Sequence, residues 1–250
     1  MKLIHIATLC VVFIIVAAAQ CVTRMMQPAT NQPSLLPLTA CGSEIDLTED
    51  IRVLSTDNWA EAVRIREALL QHATQSNHCR TEIISAFIQS MNKPELNFIT
   101  DRQSYFLWLN GSILLGRLKA VEALDLLINH LDLNDGSFSA SMSHQPAVLG
   151  VTAMGSPAVP KLTAALKENP NRNIRLAAAL CLTGIGGDSL VPTMKDVLRS
   201  EPDACVRHFL EVSVELSTLE GVAQSRPSNK QEAALIDLRR QLLIAMRCGN

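Results

Sequence analysis

Seven cysteines and six histidines are the residues of this 250-residue chain best suited to metal or nucleophilic chemistry. Their spacing points to neither. No Cys-x-x-Cys and no His-Glu-x-x-His occurs. His78-Cys79 and Cys205-x-x-His208 come closest, but each offers two ligands where structural zinc needs four. Gly184-Ile185-Gly186-Gly187-Asp188 has the glycine content of a phosphate loop. It lacks the Gly-Lys-Ser/Thr ending and follows a helical pattern rather than a strand, so it reads as the turn that closes a helix. Ser112, Ser156 and Ser200 have no Gly-x-Ser-x-Gly setting, and no pair of carboxylates flanks a recognisable cleft. The expectation is no catalytic residue, no metal site and no cofactor.

Charge narrows the partners. Twenty-two basic residues against 24 acidic give a net charge of −2, without the basic excess or stripe of a nucleic-acid binder. The N-terminus reads as an export signal: Lys2, an apolar run from Leu3 to Val16, then Ala17-Ala18-Ala19, with the cut between Ala19 and Gln20. An uncleaved anchor is the competing outcome, and its apolar stretch is short for spanning a bilayer. Ala18-Ala19-Gln20-Cys21 also resembles a bacterial lipoprotein box, which makes Cys21 a candidate for lipidation, although that pattern prefers Gly, Ala or Ser where Gln20 stands. Contact with a membrane is expected only through an uncleaved signal or a lipidated Cys21. Cleavage leaves Cys21, Cys41, Cys79, Cys181, Cys205 and Cys248, an even number that an oxidising compartment would allow to pair.

These residues must be positioned by helices. Aromatics are only 4% of the chain while Ala and Leu abound, which suits helices packed by aliphatic side chains. Residues 20–55, with Pro28, Pro33 and Pro37, show no periodicity and read as a largely disordered tether. From residue 56 to 250 the pattern is helical. Asn58 and Glu61 form a capping box for a helix to Gln75, with Ala62, Val63, Arg66, Leu69 and Leu70 on one stripe. Further helices are expected over 80–91, 102–118 and 120–131, then a loop over 134–143. Ser156 before Pro157, Asn171, Asp188, and Ser200 with Asp203 are expected caps for four more. The helix after Asn171 carries Ile174, Ala177, Ala178, Cys181, Leu182 and Ile185 at i, i+3, i+4, i+7 spacing. Residues 219–228 are expected to interrupt the last repeat, and 229–247 to form a terminal capping helix.

The chain repeats itself. Ala158-Val159-Pro160-Lys161-Leu162 returns 32 positions later as Leu190-Val191-Pro192-Thr193-Met194, and Asn173-Ile174-Arg175 returns as Cys205-Val206-Arg207. Residues 116–124 hold a looser copy. Helix hairpins at a fixed period imply an all-α solenoid of four to five stacked antiparallel hairpins, because one hairpin cannot bury its apolar face alone. The repeat resembles short HEAT-like repeats of the bilin-lyase type. Their Val-Pro-x-Leu first helix, Val-Arg second helix and Leu-x-x-Ile-Gly ending correspond to Val159-Pro160-Lys161-Leu162, Ile174-Arg175 and Leu182-Thr183-Gly184-Ile185-Gly186. The resemblance implies a HEAT-like superhelix in which Arg175 and Arg207 stabilise the repeats by bonding turn groups. Asn169 and Glu201, six residues upstream of each, are candidate partners.

Two more positions bear on function. Tyr105, Phe106 and Trp108 cluster where consecutive residues cannot all face one core, so part of the cluster is a candidate contact surface. Cys181 lies on an apolar stripe. In the 32-residue register it stands eight helical positions beyond Cys205, about 12 Å along the axis, too far for a disulfide, which needs Cα atoms within about 7 Å.

Together these readings imply a non-catalytic exported scaffold that binds another protein. An enzyme or enzyme subunit related to bilin lyases and a membrane-tethered lipoprotein of envelope assembly are the alternatives. The stripe assignment has a direct check. Ala178→Asp, which would bury an unpaired carboxylate between helices, should destabilise the fold by more than about 4 kcal/mol, and an unchanged melting curve by circular dichroism would refute the register.

Overall fold

The computed structural model describes residues 45–136, 144–186 and 190–223, together with Asp237 and Gln241. The chain divides into two compact units, Met1–Leu38 and Thr39–Asn250, and all described residues lie in the second. Among them are ten α-helices and no strand: α1 (Leu47–Leu54), α2 (Trp59–Gln75), α3 (Asn77–Met91), α4 (Arg102–Arg117), α5 (Leu124–Ile128), α6 (Pro146–Met154), α7 (Val159–Glu168), α8 (Arg172–Ile185), α9 (Val191–Ser200) and α10 (Ala204–Ala223).

Short polar side chains start most of the long helices by satisfying their open N–H groups. The Asp46 carboxylate accepts from the Thr48 and Glu49 amides, Asn58 from Glu61, Asp101 from Ser104, Asn171 from Asn173, and Asp203 from Cys205 and Val206. α5 and α7 begin differently, each entered through a single 3₁₀ turn at Val121–Ala123 and Ser156–Ala158 with no side-chain cap. Pro157 and Pro160 sit in the first turns there, where a missing N–H costs nothing. Gly155 and Gly186 end α6 and α8 at φ +73° and +75°, a conformation in which a side chain would be strained.

The helices pair in chain order as five hairpins: α1/α2, α3/α4, α5/α6, α7/α8 and α9/α10. The odd-numbered helices stack in one row and the even-numbered in the other, with α4 on α2, α6 on α4, α8 on α6 and α10 on α8. This is the stacked-hairpin solenoid expected from the repeat. One apolar core runs through it from Leu54 to Leu210 and includes Phe87, Trp108, Leu127, Leu162 and Phe209. The stripe of α8 is buried as predicted at Ile174, Ala177, Ala178, Cys181 and Leu182. The 32-residue period survives in three dimensions, since α7 and α9 start 32 residues apart, as do α8 and α10.

Several expectations need correction. The tether assigned to residues 20–55 runs into structure: α1 lies inside it, Ile45 packs on the core and Leu54 is fully buried. The Leu47–Leu54 segment is too short for a clear helical period but has Asp46 as its cap and its apolar residues on one side. The helix expected over 120–131 is shorter, a 3₁₀ turn followed by α5. Ser156 makes no capping bond, and Ser200 belongs to the end of α9, where its hydroxyl donates to the Val197 carbonyl; Asp203 caps α10 alone. α10 continues through Leu219 to Ala223 without the expected interruption. Asp188, most of the 134–143 loop and the 229–247 helix (save Asp237 and Gln241) lie outside the described residues.

The tightest approach is between α4 and α6. A Cβ on Gly150 would stand 2.5 Å from the Ser112 carbonyl oxygen, and one on Gly116 would collide with the Gly150 carbonyl. Neither obstacle is a flexible side chain, so the helices would have to separate. Gly150→Ala should therefore destabilise the protein by about 1–3 kcal/mol despite the better helix propensity of alanine, and urea unfolding will measure it.

Candidate functional site: the repeat junctions and a buried polar cluster

Basic side chains reach the open carbonyls at helix ends, both within a hairpin and between hairpins. Arg207 donates to the carbonyls of Glu201 and Pro202, both at 2.9 Å. Arg175 does the same one repeat earlier, to Asn169 at 3.0 Å and Pro170 at 3.3 Å. Lys119 takes this role at the end of α6, donating to Ala153 and Met154 at 2.7 and 2.8 Å, and Arg80 donates to the Leu118 carbonyl at 3.1 Å.

Arg175 does more than close its own turn. Its guanidinium forks onto the Glu201 carboxylate of the next repeat, Nη2 to Oε1 at 2.9 Å and Nε to Oε2 at 3.2 Å. The two side chains are 12% and 2% exposed, so the pair is nearly dry. The Asp203 amide adds a third bond to Glu201 at 3.0 Å. Glu201 thus gives its carboxylate to one arginine and its carbonyl to the other. The upstream positions Asn169 and Glu201 are partners of Arg175 and Arg207 as expected, but through their carbonyls. The carboxylate contact skips to the preceding repeat, a pairing that sequence separation could not show.

A second polar cluster lies between α1, α2 and α4. Arg66 is 4% exposed and donates to Asn110 Oδ1 at 3.0 Å, while Asn110 donates to the Leu54 and Phe106 carbonyls at 2.8 and 3.0 Å. The Trp59 ring lies over the guanidinium, 4.9 Å from Cζ. Burial, with Arg117 nearby, pulls the Arg66 pKa down to about 10, so it stays charged at neutral pH. Arg117 itself pairs with Glu67. Arg66 stands on the predicted stripe, but Asn110 was missed. Its only signal was an amide in mid-helix among apolar residues, facing an arginine on another helix.

Two of the three residues expected to form a contact surface are covered. Tyr105 and Trp108 are 6% and 1% exposed, and Phe106 is half-buried. Consecutive residues of α4 can all be covered because α4 has neighbours on several sides. Phe98, in the segment before it, meets Tyr105 and Trp108 with ring centres 5.8 and 6.0 Å away, His130 lies against Trp108, and Arg102 covers Tyr105 and Phe106. Among the described residues the large apolar side chains open to solvent are Trp59, Ile99 and Val121.

The metal-like spacings do not converge either. Cys79 and Cys205 are disulfide-bonded, which removes both thiolates, and His78 lies 3.1 Å from Glu82. No group of three or more His, Cys, Asp or Glu among the described residues could hold a metal ion. Cys181 is free and fully buried, and desolvation pushes its thiol up to about 12, so it is an inert core residue. No described helix is long and apolar enough to cross a membrane. Ala19, Gln20 and Cys21 lie outside the described residues.

The fold and these junctions define a helical-repeat protein of the α-solenoid class. Residues 145–213, which span α6 to the first half of α10, match the family described as HEAT repeats. HEAT repeats generally serve as protein-interaction scaffolds. No curated protein and no solved structure matches the chain.

The junction makes a graded prediction. Arg175→Ala strands the buried Glu201 carboxylate and should cost about 3–5 kcal/mol. Arg207→Ala removes only bonds to carbonyls and should cost about 1.5–3 kcal/mol. Replacing Arg175 and Glu201 together by methionine should cost less than Arg175→Ala alone, and a double-mutant cycle by chemical denaturation checks the order.

Proposed function

We propose that this chain is an exported, non-catalytic solenoid that holds another protein along its stacked helices. The observation that carries the reading is the pair of stacked helix rows, bridged between hairpins by Lys119 and by the Arg175–Glu201 fork, with the HEAT pattern over residues 145–213. A preformed surface loses little entropy on binding. Export is supported by the signal pattern of residues 1–19 and by the oxidised state of Cys79 and Cys205, which suits a compartment outside the reducing cytosol. The lipoprotein form of the same reading places the acyl group on Cys21.

One preparation tests these points: native mass spectrometry of the protein drawn gently from the envelope. The expected result is a complex with a different protein, with a chain beginning at Gln20, or at Cys21 with added acyl mass. A lone monomer would overturn the scaffold role. A chain beginning at Met1 would overturn processing, and a co-purifying tetrapyrrole would favour the bilin-lyase alternative.

A further inference from the structure

Arg52, Arg64 and Arg175 each turn the Nε–Nη2 edge of the guanidinium onto both oxygens of a glutamate, respectively Glu49, Glu61 and Glu201. That edge offers two parallel N–H groups at the spacing of a carboxylate. Arg66 breaks the pattern. Its Nη1 donates to Asn110 Oδ1, but its Nε is shielded from solvent without an acceptor, and Nη2 makes no hydrogen bond among the described residues.

A charge left in this state is unfavourable. Arg66 is 4% exposed, and a cation taken out of water loses its hydration whether or not a partner replaces it. The surrounding groups do not supply the missing negative charge. Glu67, its neighbour in sequence, is held by Arg117. The Leu54 carbonyl at the negative end of α1 is taken by the Asn110 amide. Arg117 adds positive charge, and with a pKa of about 10 Arg66 remains a cation at neutral pH. The Trp59 ring lies over the guanidinium, but a ring face carries only a partial negative potential.

We propose that the Nε–Nη2 edge of Arg66 is a receptor for a carboxylate, the side chain of an aspartate or glutamate on a bound protein. The inference rests on the reading of this chain as a solenoid that holds another protein. Trp59, the first residue of α2, is where the site meets solvent: it is 41% exposed and covers the guanidinium. Phe106, whose carbonyl accepts from Asn110, is half-buried beneath the exposed Arg102, with Cζ 5.3 Å from its ring centre. Tryptophan and arginine at the surface around a buried charge have the composition of a binding hot spot. As the Trp59 ring swings aside, the carboxylate forks onto Arg66 as Glu201 forks onto Arg175. The orphaned Nε then gains its acceptor and the buried charge its counter-charge.

Fluorescence anisotropy of a fluorescein-labelled octaglutamate peptide, titrated with the full chain at constant ionic strength, tests the site. Octaglutamine is the uncharged control and sodium acetate the free carboxylate. The chain should bind octaglutamate and not octaglutamine. Arg66→Lys keeps the positive charge without the forked edge and should weaken binding by about tenfold or more. Trp59→Ala alters only an exposed side chain, uncovers the guanidinium, and should bind the peptide as tightly as the unaltered chain or more so. Equal affinity in Arg66→Lys, or weaker binding in Trp59→Ala, would overturn the proposal. Acetate competing as well as octaglutamate at equal carboxylate concentration would overturn a protein as the source of the carboxylate. Native mass spectrometry keeps this site apart from the scaffold role. A complex undiminished by Arg66→Lys would overturn the site and leave the scaffold standing. A lone monomer that still binds octaglutamate through Arg66 would overturn the scaffold and leave the carboxylate receptor standing.

Discussion

No hairpin of this protein can bury its own apolar face, and most of what is regular in the molecule follows from that constraint. A pair of helices contacting only each other leaves half of each stripe in water, so stability comes from the next pair laid on top. The central positions of α8 illustrate it. Ala177 to Leu182 are all buried because α8 is enclosed by α7 within its hairpin and by α6 and α10 in its row. At the α4–α6 contact the demand for close stacking is strong enough to remove side chains altogether, leaving Gly116 and Gly150 backbone to backbone. Burial of this kind is non-directional, however, and would tolerate many relative orientations of neighbouring repeats.

Orientation is supplied by the polar junctions. Helix ends leave carbonyls without intrahelical partners, and in a solenoid those ends recur beside each inter-helix turn. A long cationic side chain from the helix that follows, or from a neighbouring repeat, satisfies two of them at once, as Arg175, Arg207 and Lys119 do. The fork between Arg175 and Glu201 has a further property. It is almost fully desolvated, so its contribution to net stability is small compared with the cost of leaving either partner alone. Such a pair punishes misalignment more than it rewards alignment, which is what holds a repeat at a set angle.

The legible parts of the sequence were those governed by local rules. Asn58, Asn171 and Asp203 cap helices where polar residues precede apolar stripes, and the stripe of α8 followed from spacing alone. The arginine bonds within a turn were legible because donor and acceptor are six residues apart. What could not be read was whatever depends on the third neighbour. Tyr105 and Trp108 are buried because Phe98 and His130 arrive from outside their helix, Asn110 is buried because Leu54 and Arg66 arrive from two others, and α1 is structured by α2 and α3 rather than by its own length. Single-helix periodicity assumes one wet face, and helices enclosed by several others violate that assumption first.

A stack of interchangeable repeats has one weakness that its interior does not share. Each internal hairpin is covered on two sides, while the first and last are covered on one, so fraying begins at the ends and costs least there. α1 is short, and α9 and α10 have no further hairpin beyond them among the described residues. Oxidised cysteines are found in α3 of the second hairpin and in α10 of the last, while Cys181, in the fourth, is free and buried. A cross-link stabilises chiefly by restricting the unfolded chain, and it does most where packing does least. Cys181 already has neighbours on every side and functions as a small apolar residue; a bond there would add strain to a site that packing has settled.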